Sequence, residues 1–541
     1  MRAPALAPLA LLAACGGGGD GPSPTPTPTP TATDPKPSAV QASRFLGQAT
    51  MGASKADIAK VQDMGYAAWL AEQFAMERPV THFDWMVTAG YAVAANINNT
   101  AGFDPSVWRQ LITAPDQLRQ RVGMALAEII VVGIDGLTSN WRGFAAAAYL
   151  DVLMDSAFGN FRTLIERVST SPAMGQFLTF LGNRKANTAT GSVPDENYAR
   201  ELMQLFTLGV QKLNSDGSVQ TAGGAAQETY NQADVSGLAR VFTGFVLDGT
   251  DNAAPERMRR PMVQQAAQHE SGTKTFLGTT IAAGTDGVAS LKAALDTIFA
   301  HPNVPPFISK QLIQRLVTSN PSGGYVSRVA AVFQNDGSGV RGNLKAVIRA
   351  ILLDQEARGD SGLTAASFGK LREPIMRLTG WARAFAAYSP SNTWPIGDTS
   401  SSVNRLAQSP GHSASVFNFF RPGYAPPNTA ISTQGLVAPE FQIATEPSVV
   451  AYINYMTGVI ANGVGDMKAD YTAINALAGD AEALVNEVNL LLAAGQLGSA
   501  TLATIRAAVD SVATSASNAT ANRVNIAILL VLASPEFLVQ K

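Results

Sequence analysis

The chain has 541 residues, 46% of them hydrophobic, enough for two or three ordinary domains or one large body with a sizeable core. Only 15% are charged, below the usual ~25%, and 39 basic side chains stand against 41 acidic ones. No net field attracts a polyanion, so no nucleic acid is expected as a partner, and a single cysteine excludes an internal disulfide framework.

The first residues read as an export signal. Arg2 supplies a positive start, Ala3 to Ala13 a short apolar stretch, and Ala13-Ala14 the small residues of a cleavage point, so 1–14 is expected to be a signal peptide. Cys15 follows directly in the run Leu11-Leu12-Ala13-Ala14-Cys15, which resembles the lipobox of bacterial lipoproteins, whose cysteine is acylated. Acyl chains at ~0.8 kcal/mol per buried CH₂ would anchor the protein without a spanning helix. After the signal, no run of about eighteen apolar residues occurs, and Ile526–Ala533 is too short to cross a bilayer. Gly16 stands where inner-membrane lipoproteins carry a retention aspartate, so the expected place is the cell envelope, at the outer membrane or cell surface. Gly16–Gly19 and the alternation of proline with threonine and serine over Pro22–Pro37 predict a disordered tether through residue 38, with a reach of ~50 Å as polyproline II.

From Ser38 the apolar spacing is that of helices. Ser54 with Asp57 forms a capping box for a helix ending near Gly65, and Asp104-Pro105 opens another. Pro115-Asp116 starts a third, in which Leu118, Val122, Ala125, Leu126, Ile129 and Val132 share one face. Helical patterns follow over Leu150–Val168, Leu291–Phe299, Phe307–Val317, Leu344–Leu353, Lys370–Phe385, Ala481–Val512 and Asn522–Leu532. Loops are expected at 185–193, 213–227 and 389–424, and Phe245–Leu247 with Thr275–Leu277 reads as a small hairpin. The fold expectation is therefore all-α. One large irregular helical domain covers 39–541, with a looser C-terminal subdomain from about 444 as a further option.

The segment Pro194–Phe206 draws the eye chemically. On a helix Glu196 faces Arg200 and Asn197 faces Glu201, each four residues apart, while Tyr198, Leu202 and Leu205 take an apolar face. Carboxylates on a buried helix must be paired, which makes an internal salt-bridge network one reading. The other makes Glu196 or Glu201 an acid or base in a cleft. Of the four histidines, His82, His269, His301 and His412, a metal site could combine His269 and His301 with one of these carboxylates. No two histidines have ligand spacing and no His-Glu-x-x-His run exists, so no metal is assigned and the cofactor is left open. Gly411–Ser415 only approaches a nucleophile elbow. Ser271 with Lys274, and Ser367 with Lys370, match Ser-x-x-Lys without the companion motifs of penicillin-recognising enzymes, and no phosphate loop is present. Lys370-Leu371-Arg372-Glu373-Pro374 reads as an ion-paired helix start or as a contact for an anionic ligand.

Several runs together resemble a bacterial family known as domain of unknown function 1800. They are Arg44–Thr50, Ala157–Arg162, Pro172-Ala173-Met174, Pro194–Gly209, Thr229–Val235 and Val241–Phe245. His269 with Lys274, His301-Pro302-Asn303, Phe368–Pro374 and Pro439-Glu440 continue the match, although Glu270 stands where aspartate is expected. The resemblance implies a secreted, helix-rich protein, and a sulfatase-like neighbour as a partner. Two function classes follow. The first is a surface lipoprotein, with the membrane as partner through its lipid, that binds or organises an extracellular polymer or partner protein. The second is a hydrolase-type enzyme, metal-assisted or not, with Glu196, Glu201 and His269 as catalytic groups. Asn197, Arg200, Lys274, Lys370 and Arg372 would then contact the ligand.

Overall fold

Burial of apolar helix faces organises the protein. The computed structural model describes residues 36–541, so the signal, Cys15 and the tether through Pro35 lie outside the described residues. Within them the chain is mostly helical, and its strands form four short antiparallel pairs.

The predicted capping box is present, whereas Asp116 stands at the N-cap of its helix without a side-chain cap bond. Ser54 and Asp57 cap the Lys55–Met64 helix reciprocally, and Gly65 ends it. The face read from Leu118 to Ile129 belongs to the Gln117–Ile129 helix, and Val132 lies beyond its end. This helix packs on the Arg142–Ser156 helix and on Val304–Leu316. Arg142–Ser156 carries four consecutive alanines and is buried along almost its whole length, so neighbouring helices approach it from several sides. Three expectations change. The pattern over Leu150–Val168 is broken at 157–160, because Asn160 caps a new helix, Phe161–Ser169. The two strand signals do not pair with each other: Phe245–Val246 pairs with Val263–Gln264, and Lys274–Phe276 with Thr279–Ile281. The stretch from Lys370 begins as a strand and becomes a helix only at Pro374.

The C-terminal helices Glu446–Asn462, Ala481–Ala493, Ser499–Asp510 and Ala519–Ala533 pack around one another, and Ala481–Ala493 also packs on Ala39–Ala49 and Pro374–Ala384. The last strand, Val539–Gln540, pairs with Lys370–Leu371. Arg44 donates from Nε to the Lys541 carbonyl at 3.0 Å, and Gln540 donates from Nε2 to the Leu316 carbonyl at 2.9 Å. The end of the chain thus holds Lys370 in place. That strand brings the fold to its most unusual chemistry.

Candidate functional site

Proline in the first turn starts the Val304–Leu316 helix, where a missing amide donor costs nothing. Phe307, Lys310, Gln311, Gln314 and Arg315 recur on it at spacings of three, four and one, so they share a face, and all five line a cavity of about 700 Å³. The other face buries Ile308, Leu312, Ile313 and Leu316. Asn303, just before the helix, donates from Nδ2 to the carbonyls of Leu208 (3.0 Å) and Gln211 (2.7 Å) and accepts from the Leu213 amide at 2.9 Å. These bonds fix the opposite wall, 208–213, against the helix.

That wall begins in a distorted turn. After Glu201 the helix widens to π geometry over Leu202–Thr207, a form that frequently marks functional sites. The widening carries Gln204 and Leu205 into the cavity lining. Gly209 ends it at φ 76°, where any side chain would strike the Phe307 ring. Asn320, Val416, Phe417 and Val437 complete much of the remaining lining, and Asn320 is locked by reciprocal 2.9 Å bonds with Val437.

The floor is a cluster of buried charges. Lys370 reaches in from its strand, and its Nζ donates to the Arg315 carbonyl at 2.8 Å and to Glu373 Oε1 at 3.1 Å, with Glu440 Oε1 also 3.1 Å away. Glu373 accepts a second bond from Gln408 Nε2 at 2.8 Å. Arg121 donates to the same Arg315 carbonyl. Arg315 Nε lies 3.4 Å from Glu128 Oε2, and the guanidinium stacks over Phe420 with its carbon 4.9 Å from the ring centre. The side chains of Lys370, Glu373, Glu440 and Arg315 are at most 2% exposed. Charges this deep survive only in pairs.

The two central carboxyls divide their roles. Burial, reinforced by the negative Glu373, pushes Glu128 well above the ordinary carboxylate range, and the two groups are hydrogen-bonded to each other. Burial also acts on Glu373, but Lys370, the bond from Glu128, Arg121 and Arg315 outweigh it and keep Glu373 ionised. At 3.4 Å, Arg315 and Glu128 stand further apart than the partners of a charge-assisted bond. Glu128 and Arg315 both line the cavity, so a neutral acid and a guanidinium stand at its floor.

The residues singled out by sequence are placed in four groups. Glu196 and Arg200 meet at 3.1 Å, and Glu196 also takes bonds from Ser236 and Gln232. The Ser236 bond first, then Gln232 and Arg200, hold the Glu196 carboxyl below its usual range. The expected Asn197–Glu201 pairing does not form: Asn197 sits at the helix start and donates to Thr179 Oγ1 at 3.4 Å. Glu201 Oε2 has no hydrogen-bond partner among the described residues, and burial raises its pKa. Tyr198 anchors this helix, stacked on Phe180 at 4.2 Å and bonded to Ser169 Oγ at 2.7 Å. His269 is buried, with Nδ1 3.0 Å from the Thr243 carbonyl, and burial lowers its pKa. Lys274 is buried beside Gly272, and Arg372 is spent on the Phe537 carbonyl and ring. None of Glu196, Glu201, His269, Lys274 or Arg372 lines the large cavity, and Lys370 lies directly behind its floor. His301 caps its own turn, accepting from the Asn303 amide at 3.1 Å. Among the described residues no group of three or more His, Cys, Asp or Glu side chains could hold a metal.

Sequence reasoning passed over Glu128, Arg315, Gln311, Gln314 and Arg121. The available signal was polar residues at helical spacing inside strongly apolar helices. Arg121 and Glu128 stand seven apart on one helix, and Gln311 and Arg315 four apart on another. Pro439-Glu440 and Lys370–Pro374 were recognised as runs, but not as parts of one cluster.

Fold and site define a mostly helical protein with a large cavity, lined by apolar side chains and several amides, built over a buried charge cluster. The chain belongs to the family described as Protein of unknown function (DUF1800), whose pattern matches residues 44–539. No curated protein and no solved structure matches it.

Proposed function

We propose that this protein is an extracytoplasmic lipoprotein, anchored through Cys15, that binds a hydroxyl-rich extracellular polymer in the large cavity. One observation carries the reading: a cavity of about 700 Å³ lined by Gln204, Gln211, Gln311 and Gln314 together with Phe307 and Phe417. Each amide both donates and accepts, the capacity that sugar hydroxyls need, and the rings offer apolar faces to C–H surfaces. The volume lies within the ordinary range of ligand sites. Substituting Val210, half-exposed on the cavity wall, tests the reading without disturbing the core. Val210→Trp should leave melting unchanged and weaken co-sedimentation with envelope polysaccharide. Undiminished co-sedimentation of the folded variant would refute the cavity as the site.

The hydrolase reading keeps one specific support. Glu128, held neutral at the cavity floor, has the protonation a general acid needs, as carboxyls in apolar surroundings do. Glu196, held ionised, does not. A test is release of reducing ends from polysaccharide by the wild type and its loss in Glu128→Gln.

A further inference from the structure

On the cavity face of the Val304–Leu316 helix, Gln311 and Arg315 stand one turn apart. Gln311 Nε2 and Arg315 Nη1 are both buried, and neither has a hydrogen-bond partner among the described residues. Donors left unmet in a buried position are costly, and a guanidinium more so than an amide. Lys310, on the same face, adds a further positive charge to the lining. The acidic groups near Arg315 do not satisfy it. Glu373 and Glu440 are engaged with Lys370, and Glu128 is 3.4 Å from Nε and neutral.

We propose that this floor receives an oxyanion, a carboxylate or phosphate group of the bound ligand, for which the Arg315 guanidinium and the Gln311 amide turn their closed-off, unmet donors toward the cavity. A planar oxyanion can accept from both donors at once, which a neutral hydroxyl cannot match for charge. The inference rests on the polymer-binding reading and adds that the polymer, or its bound fragment, is acidic. It also ties binding to protons. An ionised Glu128, 3.4 Å from Arg315, would compete with the oxyanion for the guanidinium, so the oxyanion and the protonated acid favour each other; Arg121, Arg315, Lys370, Glu373 and Glu440 are the side chains that surround Glu128.

Calorimetric titration of the full chain with three probes tests this: a cello-oligosaccharide, its glucuronate counterpart, and inorganic phosphate alone. The glucuronate probe should bind about tenfold or more tightly than the neutral one, the gain expected for one charge-assisted bond. Arg315→Gln should abolish that preference, so that the glucuronate probe binds no more tightly than the neutral one. Should Arg315→Gln fail to fold, Glu128→Gln gives a second arm: it should hold the preference constant as pH rises, where the wild type loses it. Equal binding of the two oligosaccharides overturns the oxyanion inference and leaves the polymer reading standing. Phosphate bound in an Arg315-dependent way, with neither oligosaccharide bound, upholds the oxyanion site for a free anion and overturns the polymer reading. No binding of any probe overturns both.

Discussion

Replacing Glu128 by glutamine isolates the buried acid. The amide keeps the shape and the donor to Glu373 but cannot ionise. In the wild type the folded pKa of Glu128 is raised, so above the unfolded value near 4.5 the unfolded chain releases a proton that the folded one retains. Folded stability therefore falls as pH rises from about 4.5 until the folded group itself ionises. The slope is about 1.4 kcal/mol per pH unit over that window. For a body of about 500 residues, an unfolding entropy of about 2.1 cal/mol/K per residue gives about 1 kcal/mol/K, so each kcal/mol moves Tm by about 1 °C. Calorimetry of both proteins from pH 4 to 8 should show equal melting at the acid end and a variant that gains over the wild type by about 1 °C or more per pH unit. Titrating groups away from the cluster cancel in the difference. A variant that is less stable at neutral pH by about 3–5 kcal/mol, the cost of breaking a buried ion pair, would mean that Glu128 is ionised and paired with Arg315, and would refute the argument.

Lys370→Met should cost about 3–5 kcal/mol, because Glu373 and Glu440 would lose the cation they share; chemical denaturation measures it, and a loss under 1 kcal/mol would contradict the cluster. His412 sits 2.8 Å from Asp104 and 3.2 Å from Asp135. Burial alone would lower its pKa, but Asp104 above all, with Asp398 and Asp135, lifts it to about 9. Its stabilisation, on the order of 3 kcal/mol, is fully present below about pH 6.5 and lost as pH rises through about 9; His412→Gln should remove that dependence, and an unchanged alkaline melting profile would count against the pair. Cys15→Ser should move the protein from membrane to soluble fractions of the producing cell, and continued membrane association would sink the lipid anchor.

Much of the helix pattern was legible because local chemistry writes it: Ser54 and Asp57 cap as their types dictate, and the Leu118–Ile129 face follows from spacing. The break at Asn160 and the strand at Lys370–Leu371 were not legible. The first depends on an asparagine cap inside a continuous apolar pattern, and the second on a partner strand about 170 residues away in sequence. The cluster was harder still. Glu128, Arg315, Lys370, Glu373 and Glu440 come from four separate segments, and only tertiary packing shows that one lysine serves two carboxylates. The Pro194–Phe206 run was conspicuous because its charges are consecutive. Yet its contribution to the cavity is Gln204 and Leu205, brought round by a π turn that no periodicity announces.

Hydrogen exchange of the full chain with and without soluble acidic polysaccharide fragments is the most direct test of the cavity as the binding site. Protection should rise in 204–213, 307–320 and 416–437, the segments that surround it. Protection confined to the Glu196 helix and the His269 loop, with the cavity walls unchanged, would contradict the account.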